Sequence, residues 1–437
     1  MQQIKNSNEQ STNLSKGNIW ALLPIAVFLV VYIGVSVIFN DFYVMSVVVA
    51  FMLAILVGCL QNKKVAFNDK LSIMSKGFAD KNITIMVLIF LASGIFAGIL
   101  GREGASAVAD LFLKFIPAKY SLIVIFIVAC FVSTSMGTSC GTITVLAPIA
   151  MSVSAATGFS APICVATIIG GAMFGDNLSF ISDTTIAATS TQGCNMKDKF
   201  KENFFIALPA CVLTIVILLV FAFTTPVNDN YVAGDINLWL ILPYVLVLAS
   251  GIMGINVFIV LIGGIVTAFI VKLGLGTSVL SIVSAMGSGA SGMFEVIIVT
   301  VLVSMLSALM KEYGGFDAIL YGIRRVFKGK VGGGLGIATL VSLMDVATAN
   351  NTVAIVMAGP IAKNISEEYG ISPRKSASLL DIFGSVIQGI IPYGAQMVTA
   401  VALTGVSAIE IIPLVFYPYL LAVSAIVFLF IPTFNKK

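Results

Sequence analysis

The chain has 437 residues, of which 59% are hydrophobic and 10% are charged, and its formal net charge is +4. Soluble domains carry about 25% charged residues, so these side chains could not cover a globule in water. The modest charge gives no reason to expect nucleic acid as a partner, and the lack of histidine excludes histidine proton relays and histidine metal ligands. We therefore predict an all-α polytopic membrane protein.

The hydrophobic residues are concentrated in twelve runs, each long enough to form all or part of a membrane helix. From these runs we predict roughly 10–12 membrane segments. The runs lie near residues 19–39, 43–60, 83–100, 122–148, 161–174, 204–223, 238–253, 255–273, 294–310, 335–361, 376–392 and 411–431. The predicted division is a cytoplasmic tail (1–18), a first membrane repeat (19–223), an external linker (224–237), a second membrane repeat (238–431) and a cytoplasmic tail (432–437).

The second half of the chain repeats short patterns of the first half in the same order. The separation between partners stays within roughly 209–219 residues. A single short match would carry no weight, but an ordered series indicates an internal duplication. The partners are Ile19-Trp20 with Leu238-Trp239, Ala147-Pro148-Ile149-Ala150 with Gly359-Pro360-Ile361-Ala362, and Phe174-Gly175 with Phe383-Gly384.

The positive charges predict which loops face the cytoplasm. Lysine-rich loops at 61–82, 194–203 and 311–330 read as cytoplasmic under the positive-inside rule, as do both termini, whereas the linker 224–237 has no Lys or Arg. The first half must then cross the membrane an odd number of times, so the interrupted run at 122–157 must turn back once. The second half therefore has the inverted topology. The lysines of the loop at 194–203 that enter this argument are Lys197, Lys199 and Lys201.

Two polar stretches interrupt apolar runs at matching places in the two halves. Residues 133–142 are rich in Ser, Thr and Gly, and residues 345–352 contain Asp345 and Asn350-Asn351-Thr352. One interpretation is that these small residues only let helices pack closely. The other is that the helices break there into re-entrant hairpins, whose carbonyls and side-chain oxygens suit a hard cation such as sodium. We favour the second because the two breaks match.

The most polar stretch between apolar runs is residues 175–189, which contains Asp176 and Asp183. An Asp at the centre of a membrane helix costs roughly 2.5–3.5 kcal/mol, so the stretch is either an ordinary external loop or the lining of a water-filled site inside the bundle. We favour the second interpretation. The two aspartates are seven residues apart, and a single helix would therefore place them on one face, two turns apart. Asp381 begins the corresponding stretch of the second half.

The same residues carry a resemblance to a known family. Gly137-Thr138-Ser139-Cys140-Gly141-Thr142 resembles the Gly-Thr-Ser-Trp-Gly-Thr stretch of NhaC-type sodium/proton antiporters. Residues 175–185 resemble their Gly-Asp…Ser-Pro-Ile-Ser-Asp-Thr-Thr signature, although Cys140 replaces Trp and Phe180 replaces Pro. The resemblance, over about residues 15–430, implies the ion-transporter superfamily fold. That fold has two inverted repeats, hairpin tips that meet mid-membrane and an elevator movement of a transport domain.

We expect a secondary active transporter rather than an enzyme, because the sequence has no nucleophile–base pair, metal cluster or nucleotide motif. Sodium/proton antiport would follow from competition, since a proton neutralises a carboxylate that sodium needs. The alternative is sodium- or proton-coupled transport of a small carboxylate or amino acid, since the family includes members similar to malate/lactate exchangers and amino-acid carriers. The only coupling ions expected are sodium and protons, with no further cofactor.

The expected location is the cell inner membrane, with both termini cytoplasmic. A homodimer is an expectation by analogy with carriers of this fold. The candidate ion- or substrate-binding residues are Thr138, Ser139, Thr142, Asp176, Asn177, Ser179, Ser182, Asp183, Thr184, Asp345, Asn350, Asn351, Thr352 and Asp381. Sodium is expected at Thr138, Asp183 and Asn351.

Overall fold

The structure, a computed structural model, describes residues 16–39, 45–115, 117–180, 182–228, 237–253 and 255–431. Within these ranges all regular secondary structure is helical, which confirms the predicted fold class. Most of both predicted tails, and residues 229–236 of the predicted linker, lie outside the described residues.

Twenty α-helices lie in the described ranges, joined by three short 3-10 helices. The first half contains α1 (Leu23–Phe39), α2 (Val47–Leu60), α3 (Phe67–Phe78), α4 (Lys81–Phe115), α5 (Ser121–Met136), α6 (Ser139–Thr157), α7 (Ala161–Leu178), α8 (Asp183–Gln192) and α9 (Met196–Thr224). The second half contains α10 (Leu238–Ile252), α11 (Val257–Gly274), α12 (Val279–Gly292), α13 (Phe294–Glu312), α14 (Gly315–Val326), α15 (Gly329–Thr348), α16 (Asn351–Tyr369), α17 (Pro373–Ile390), α18 (Ala395–Thr404), α19 (Ala408–Ile411) and α20 (Phe416–Phe430). The 3-10 helices are Ile19–Leu22, Ala118–Tyr120 and Ile412–Leu414.

Seven helical segments of the described chain are long and apolar enough to cross a membrane, or eight if the bent pair Ala408–Leu414 and Phe416–Phe430 forms one span. Five further apolar helices have only 10–17 residues. The predicted ten to twelve segments would need several of these shorter helices to cross as well, so that number stays a prediction.

Helix α9 shows how a span divides its surface between lipid and protein. Val212, Val216 and Val220 follow one another at four-residue spacing and are each about half exposed. Ala210 and Leu218, on another face, are at most 1% exposed. Residues four apart share a helix face, so the exposed valines form an apolar stripe suited to lipid.

The two halves share the lengths of their helices as well as their sequence patterns. Helices α6 and α16 both have 19 residues, α7 and α17 both have 18, and α8 and α18 both have 10. The two halves also begin alike, because Asn18 Oδ1 accepts from the Trp20 amide and Asn237 Oδ1 accepts from the Trp239 amide, each at 3.1 Å. This order of equal lengths agrees with the predicted duplication. The inverted orientation of the copies stays a prediction.

Both predicted polar stretches contain a real break between two helices. Gly137 ends α5 with φ 67°, and Ala349 ends α15 with φ 48°. The next residue caps the following helix: Thr138 Oγ1 accepts from the Gly141 amide at 3.3 Å, and Asn350 Oδ1 accepts from the Val353 amide at 3.0 Å. Capping satisfies backbone groups that a helix end leaves unpaired. The left-handed backbone suits glycine but costs alanine roughly 1–2 kcal/mol.

Helices α4 and α12, from opposite halves, touch backbone to backbone. A Cβ atom added to Gly94 would overlap the Gly289 carbonyl, and one added to Gly289 would overlap the Gly94 carbonyl. One turn further along α4, Gly98 is packed equally tightly against Ala285 and Gly289. Small residues allow this approach, which is typical of helix contacts inside membranes. We call Gly94, Gly98, Ala285 and Gly289 the glycine seam.

Candidate ion-binding site

The two helix breaks border one cavity of about 110 Å³, which we call the central cavity. Thr138 and Ser139 come from the first break, and Asn350 and Asn351 come from the second. The fold therefore brings together two tips that lie in opposite halves of the sequence, in the way the broken-helix prediction requires.

Four helices of the described chain begin at the wall of this cavity. They are α6, α8, α16 and α18, whose first residues Ser139, Asp183, Asn351 and Ala395 all line it. Each helix N-terminus carries about half a unit of positive charge on unpaired amides. The cavity is thus electropositive at its backbone, and the carboxylates of Asp176 and Asp183 are its counter-charges.

Asp176 lies near the end of α7, and its side chain is 4% exposed. Its position is fixed by close packing, because Gly175 has no room for a Cβ atom against Cys130, Ser133 and Thr134 of α5. Ser139 Oγ donates a 2.9 Å hydrogen bond to Asp176 Oδ2. The other oxygen of this carboxylate, Oδ1, therefore keeps lone pairs that can face the cavity.

Two glutamines complete the polar wall, and the sequence analysis did not include them among the site residues. Gln396 and Gln388 both line the central cavity. Gln396 Nε2 donates to Ser139 Oγ at 2.9 Å, and Gln388 Nε2 donates to the Ala349 carbonyl at 3.1 Å. Their Oε1 atoms have no hydrogen-bond partner in the described part of the chain. The repeat could have identified Gln396, because it holds the same position in α18 that Thr184 holds in α8.

Asp183 does not share a helix with Asp176, which corrects the single-helix interpretation of their seven-residue spacing. Helix α7 ends at Leu178 and α8 begins at Asp183, because Ser182 leaves the helix to cap the Thr185 amide at 3.2 Å. Asp183 is exposed, whereas Asp176 is buried. Both carboxylates nonetheless line the central cavity. The break between α7 and α8 therefore brings them to the same space, which a shared helix face was expected to do.

The structure divides the predicted site residues into two groups. Eight line the central cavity: Thr138, Ser139, Asp176, Asp183, Thr184, Asn350, Asn351 and Thr352. The other six do not line it: Thr142, Asn177, Ser179, Ser182, Asp345 and Asp381. Among these six, Thr142 bonds to the Thr138 carbonyl at 2.9 Å, and Ser182 is the cap of α8.

Asp345 lies in α15, four residues before the break at Ala349, and its side chain is fully buried. Neither of its oxygens has a hydrogen-bond partner among the described residues, although the backbone of Gln388 lies close by. The geometry thus places Asp345 behind a residue of the cavity wall rather than on it.

Asp381 is engaged elsewhere, in a buried cluster around Lys199. Lys199 Nζ lies 2.5 Å from Asp381 Oδ2, 2.9 Å from the Asn177 carbonyl and 2.7 Å from Thr185 Oγ1. Asn203 Nδ2, one turn along α9, contacts Asp381 Oδ2 at 2.9 Å and Asn177 Oδ1 at 2.7 Å. We call these five residues the Lys199 cluster.

The Lys199 cluster corrects the charge count made from the sequence. The lysine was assigned to a cytoplasmic loop with Lys197 and Lys201, but its side chain is 1% exposed, and α9 begins before it at Met196. Its two neighbours are exposed. Counting charges treats all three alike, because it does not register which helix face turns inward.

A second cavity of about 400 Å³ reaches the site from the side of the lysine-rich loops, and we call it the vestibule. Its lining includes Lys76 and Lys311, and it extends to Asn350, which also lines the central cavity. Asn350 Nδ2 lies 3.5 Å from the sulfur of Met86, another residue of the central cavity wall. This contact marks the boundary between the two spaces.

A third cavity of about 530 Å³, which we call the outer cavity, shares no lining residue with the central cavity. Its wall includes Val49, Val398 and Ala402. A small apolar cluster of Phe90, Met293 and Ala395 packs against Val398 and Ala402 of α18. The central cavity therefore shares a wall residue with the vestibule, Asn350, and none with the outer cavity.

The chain is similar to known proteins over most of its length. A sequence profile described as the Na+/H+ antiporter family matches residues 2–223 and 232–433. The Na(+)/H(+) antiporter NhaC of Bacillus subtilis (strain 168) is 24% identical over 384 residues, covering 79% of this chain and 84% of the relative. The Malate-2H(+)/Na(+)-lactate antiporter of the same organism is 19% identical over 445 residues, covering 93% of each chain. The solved structure of the Alcanivorax borkumensis YdaH transporter is 16% identical, with a TM-score of 0.39, and covers 82% of this chain and 87% of that chain.

The matched ranges include both helix breaks and every residue of the central cavity wall. The resemblance to NhaC-type antiporters is thereby confirmed, and the relatives' names are those of transporters rather than enzymes. They also support sodium-coupled transport across a membrane. The chain belongs to the Na+/H+ antiporter family.

Proposed function

We propose that the protein exchanges sodium for protons and that both ions bind in the central cavity. The observation that carries this proposal is the presence of Asp176 and Asp183 in one cavity with the tips of both halves. Two carboxylates surrounded by hydroxyl and amide oxygens form a donor set that hard cations prefer.

The wall supplies oxygens from both halves for a sodium shell. Asp176 contributes a carboxylate, Thr138 a hydroxyl, and Gln388 and Gln396 contribute amide oxygens that have no partner among the described residues. Asp183 adds a second carboxylate from the exposed side of the cavity. A shell built from both tips would break when the tips separate, so binding and release can follow their movement.

Exchange follows from competition for the same negative charge. A proton on Asp176 or Asp183 removes the charge that holds sodium, and sodium occupying the shell makes protonation unfavourable. Each ion therefore leaves when the other binds. A gradient of one ion across the membrane then drives the other in the opposite direction, with no covalent chemistry.

Reconstituted vesicles provide the direct test of this function. Purified protein in proteoliposomes with a trapped pH dye and an imposed proton gradient should dissipate that gradient when sodium is added. Potassium at the same concentration is the control for a general ionic effect. A proton gradient that sodium leaves unchanged would rule out sodium/proton antiport.

A second candidate function, coupled carriage of a small carboxylate or amino acid, is favoured by a different observation. Four positive helix ends border the cavity, and Asn351 Nδ2 is a buried donor with no partner among the described residues. Both features suit a carboxylate group once a sodium ion or a proton has neutralised the aspartates. The malate/lactate relative supports this reading. Uptake of a labelled panel of hydroxy acids and amino acids, with and without sodium, separates the two functions.

The orientation and assembly belong to the same proposal. With the lysine-rich loops in the cytoplasm of the inner membrane, the vestibule opens inward, and both termini are cytoplasmic. A homodimer remains a proposal by analogy with the fold. Protease access to a C-terminal tag in right-side-out and inverted vesicles tests the orientation.

A further inference from the structure

The ammonium of Lys199 is fully used by contacts that the proposed exchange does not involve. It has three protons, and it contacts the Asp381 carboxylate, the Asn177 carbonyl and the Thr185 hydroxyl at 2.5–2.9 Å. Lys199, Asp381 and Asn177 are each at most 1% exposed. This lysine is therefore a fixed internal cation and not a surface charge.

The contacts of Lys199 lie on both sides of the break between α7 and α8. Asn177 directly follows Asp176, and Thr185 stands two residues after Asp183. The ammonium thus joins the chain just beyond one site carboxylate to the chain just beyond the other. A tie at these two points restricts how far Asp176 and Asp183 can separate.

Lys199 also controls the charge next to the central cavity. Asp381 has no exposed surface and is paired with this single ammonium. The charges of Asp381, Lys199 and Asp183 all act on Asp176. Removing one partner of a buried ion pair leaves an uncompensated charge, which is strongly unfavourable. With the pair intact, the positive charge of Lys199 opposes the negative charge of Asp381 at Asp176.

We propose that Lys199 is a positioning residue of the ion site, which ties the two sides of the α7–α8 break and neutralises Asp381, so that Asp176 and Asp183 alone offer charge to the transported cation. This proposal rests on the proposed exchange of sodium for protons. It assigns Asp381 to the support of the site and not to its ligands. Three titratable groups interact electrostatically with Lys199 or Asp381: Asp176 (α7), Tyr417 (α20) and Cys194, which lies between α8 and α9. Other charged groups on the helices of the cluster include Asp183 (α8), Asp198 and Glu202 (α9), and Arg374 and Lys375 (α17).

The test compares the pH at which sodium-driven exchange is half-maximal in reconstituted wild-type protein and in four variants. Lys199→Gln leaves Asp381 unpaired, so protons leave Asp176 less readily, and the midpoint should move to higher pH by roughly one unit. Lys199→Arg keeps the charge and should stay near the wild-type midpoint. The double variant Lys199→Gln/Asp381→Asn restores the net charge and should return the midpoint. Lys201→Gln, on the exposed face of the same helix, is the matched control and should match wild type.

The outcomes separate the role of Lys199 from the proposed function itself. Wild-type protein without sodium-driven exchange would overturn the function and the role that depends on it. An active wild type together with an unshifted Lys199→Gln midpoint would overturn only the role of Lys199. If Lys199→Gln does not fold, Asp381→Asn decides: it leaves Lys199 as the unpaired charge, so the midpoint should move to lower pH, and the double variant should reverse that shift. An unshifted midpoint in Asp381→Asn would overturn charge pairing.

Discussion

Gln396 Nε2 donates a 2.9 Å hydrogen bond to Ser139 Oγ, so a side chain of the second half holds the first residue of the broken helix in the first half. Ser139 passes the contact on, because its own proton goes to Asp176. The orientation of the most buried site carboxylate thus depends on both halves at once. Moving the two halves apart would break the contact between Gln396 and Ser139, and the Asp176 carboxylate would lose this support.

Removing the charge of Asp176 should abolish sodium-driven exchange while leaving the protein folded. Asp176→Asn keeps the size and the acceptor for Ser139 but loses the negative charge that either cation needs. We expect exchange in the dye assay to fall at least about a hundredfold, since a change of roughly 2.7 kcal/mol in cation binding has that effect. Asp69→Asn, at an exposed position in α3, is the control and should retain full activity. Full exchange by Asp176→Asn would remove this residue from the site.

Breaking the link between the halves should weaken sodium binding without abolishing it. Gln396→Leu removes the donor to Ser139 and one free amide oxygen of the cavity wall. A typical hydrogen bond contributes about 0.5–1.5 kcal/mol, so the sodium concentration for half-maximal exchange should rise roughly three- to tenfold. Thr404→Val, at the other end of α18, is the control because its hydroxyl bonds only to nearby backbone, the Ala400 carbonyl and the Val406 amide, and does not line the central cavity. An unchanged sodium requirement in Gln396→Leu would contradict a role for this contact.

The two helix breaks should respond in opposite ways to exchanging glycine and alanine. Ala349 holds a left-handed backbone, with φ 48°, that glycine adopts without strain. Ala349→Gly should therefore stabilise the detergent-purified protein by about 1 kcal/mol and raise its melting temperature. Gly137→Ala, at the matching position with φ 67°, should lower it by a similar amount. Thermal shifts of the same sign in both variants would show that backbone strain does not distinguish the breaks.

Chemical labelling should find the vestibule and the outer cavity on opposite sides of the membrane. Val356 lines the vestibule and is 52% exposed, and Val49 lines the outer cavity and is 50% exposed. A membrane-impermeant thiol reagent should modify Val356→Cys only in inverted vesicles and Val49→Cys only in right-side-out vesicles. The unmodified wild type measures the background from the native cysteines. Labelling of both positions from one side would contradict the orientation proposed from the lysine-rich loops.

The broken helices could be foreseen because their chemistry is local. Ser, Thr, Gly and Asn in the middle of an apolar run leave few ways to satisfy the backbone, and the breaks at Gly137 and Ala349 fall inside the stretches predicted on that ground. The same reasoning placed Asp176 in a wet interior. It could not show that Ser182 would interrupt the helix before Asp183, because Ser is accepted both as a cap and inside membrane helices.

The assignment of Lys199 to a loop was wrong because the sequence does not show which way a helix face points. Lys199, Lys197 and Lys201 are alternate residues of α9, and only the first turns inward to meet Asp381. That orientation is set by the packing of a helix from the first half against one from the second. No pattern within either segment contains this information. The sequence likewise does not show that Asp345 and Asp381 lie outside the lining of the central cavity, because an intramembrane position is compatible with either place. Their predicted role in binding stays a prediction.

The glycine seam has a consequence for energy conservation. Met86, Phe90, Gly94 and Gly98 follow one another at four-residue spacing on α4, so the face that borders the central cavity continues directly into the seam. A water molecule needs a space of roughly 10–15 Å³, and backbone in contact with backbone leaves none. Along this wall no file of water can form to carry stray protons past the carboxylates. In the proposed exchange, these small residues would act as insulation and keep a stored ion gradient from leaking away between turnovers.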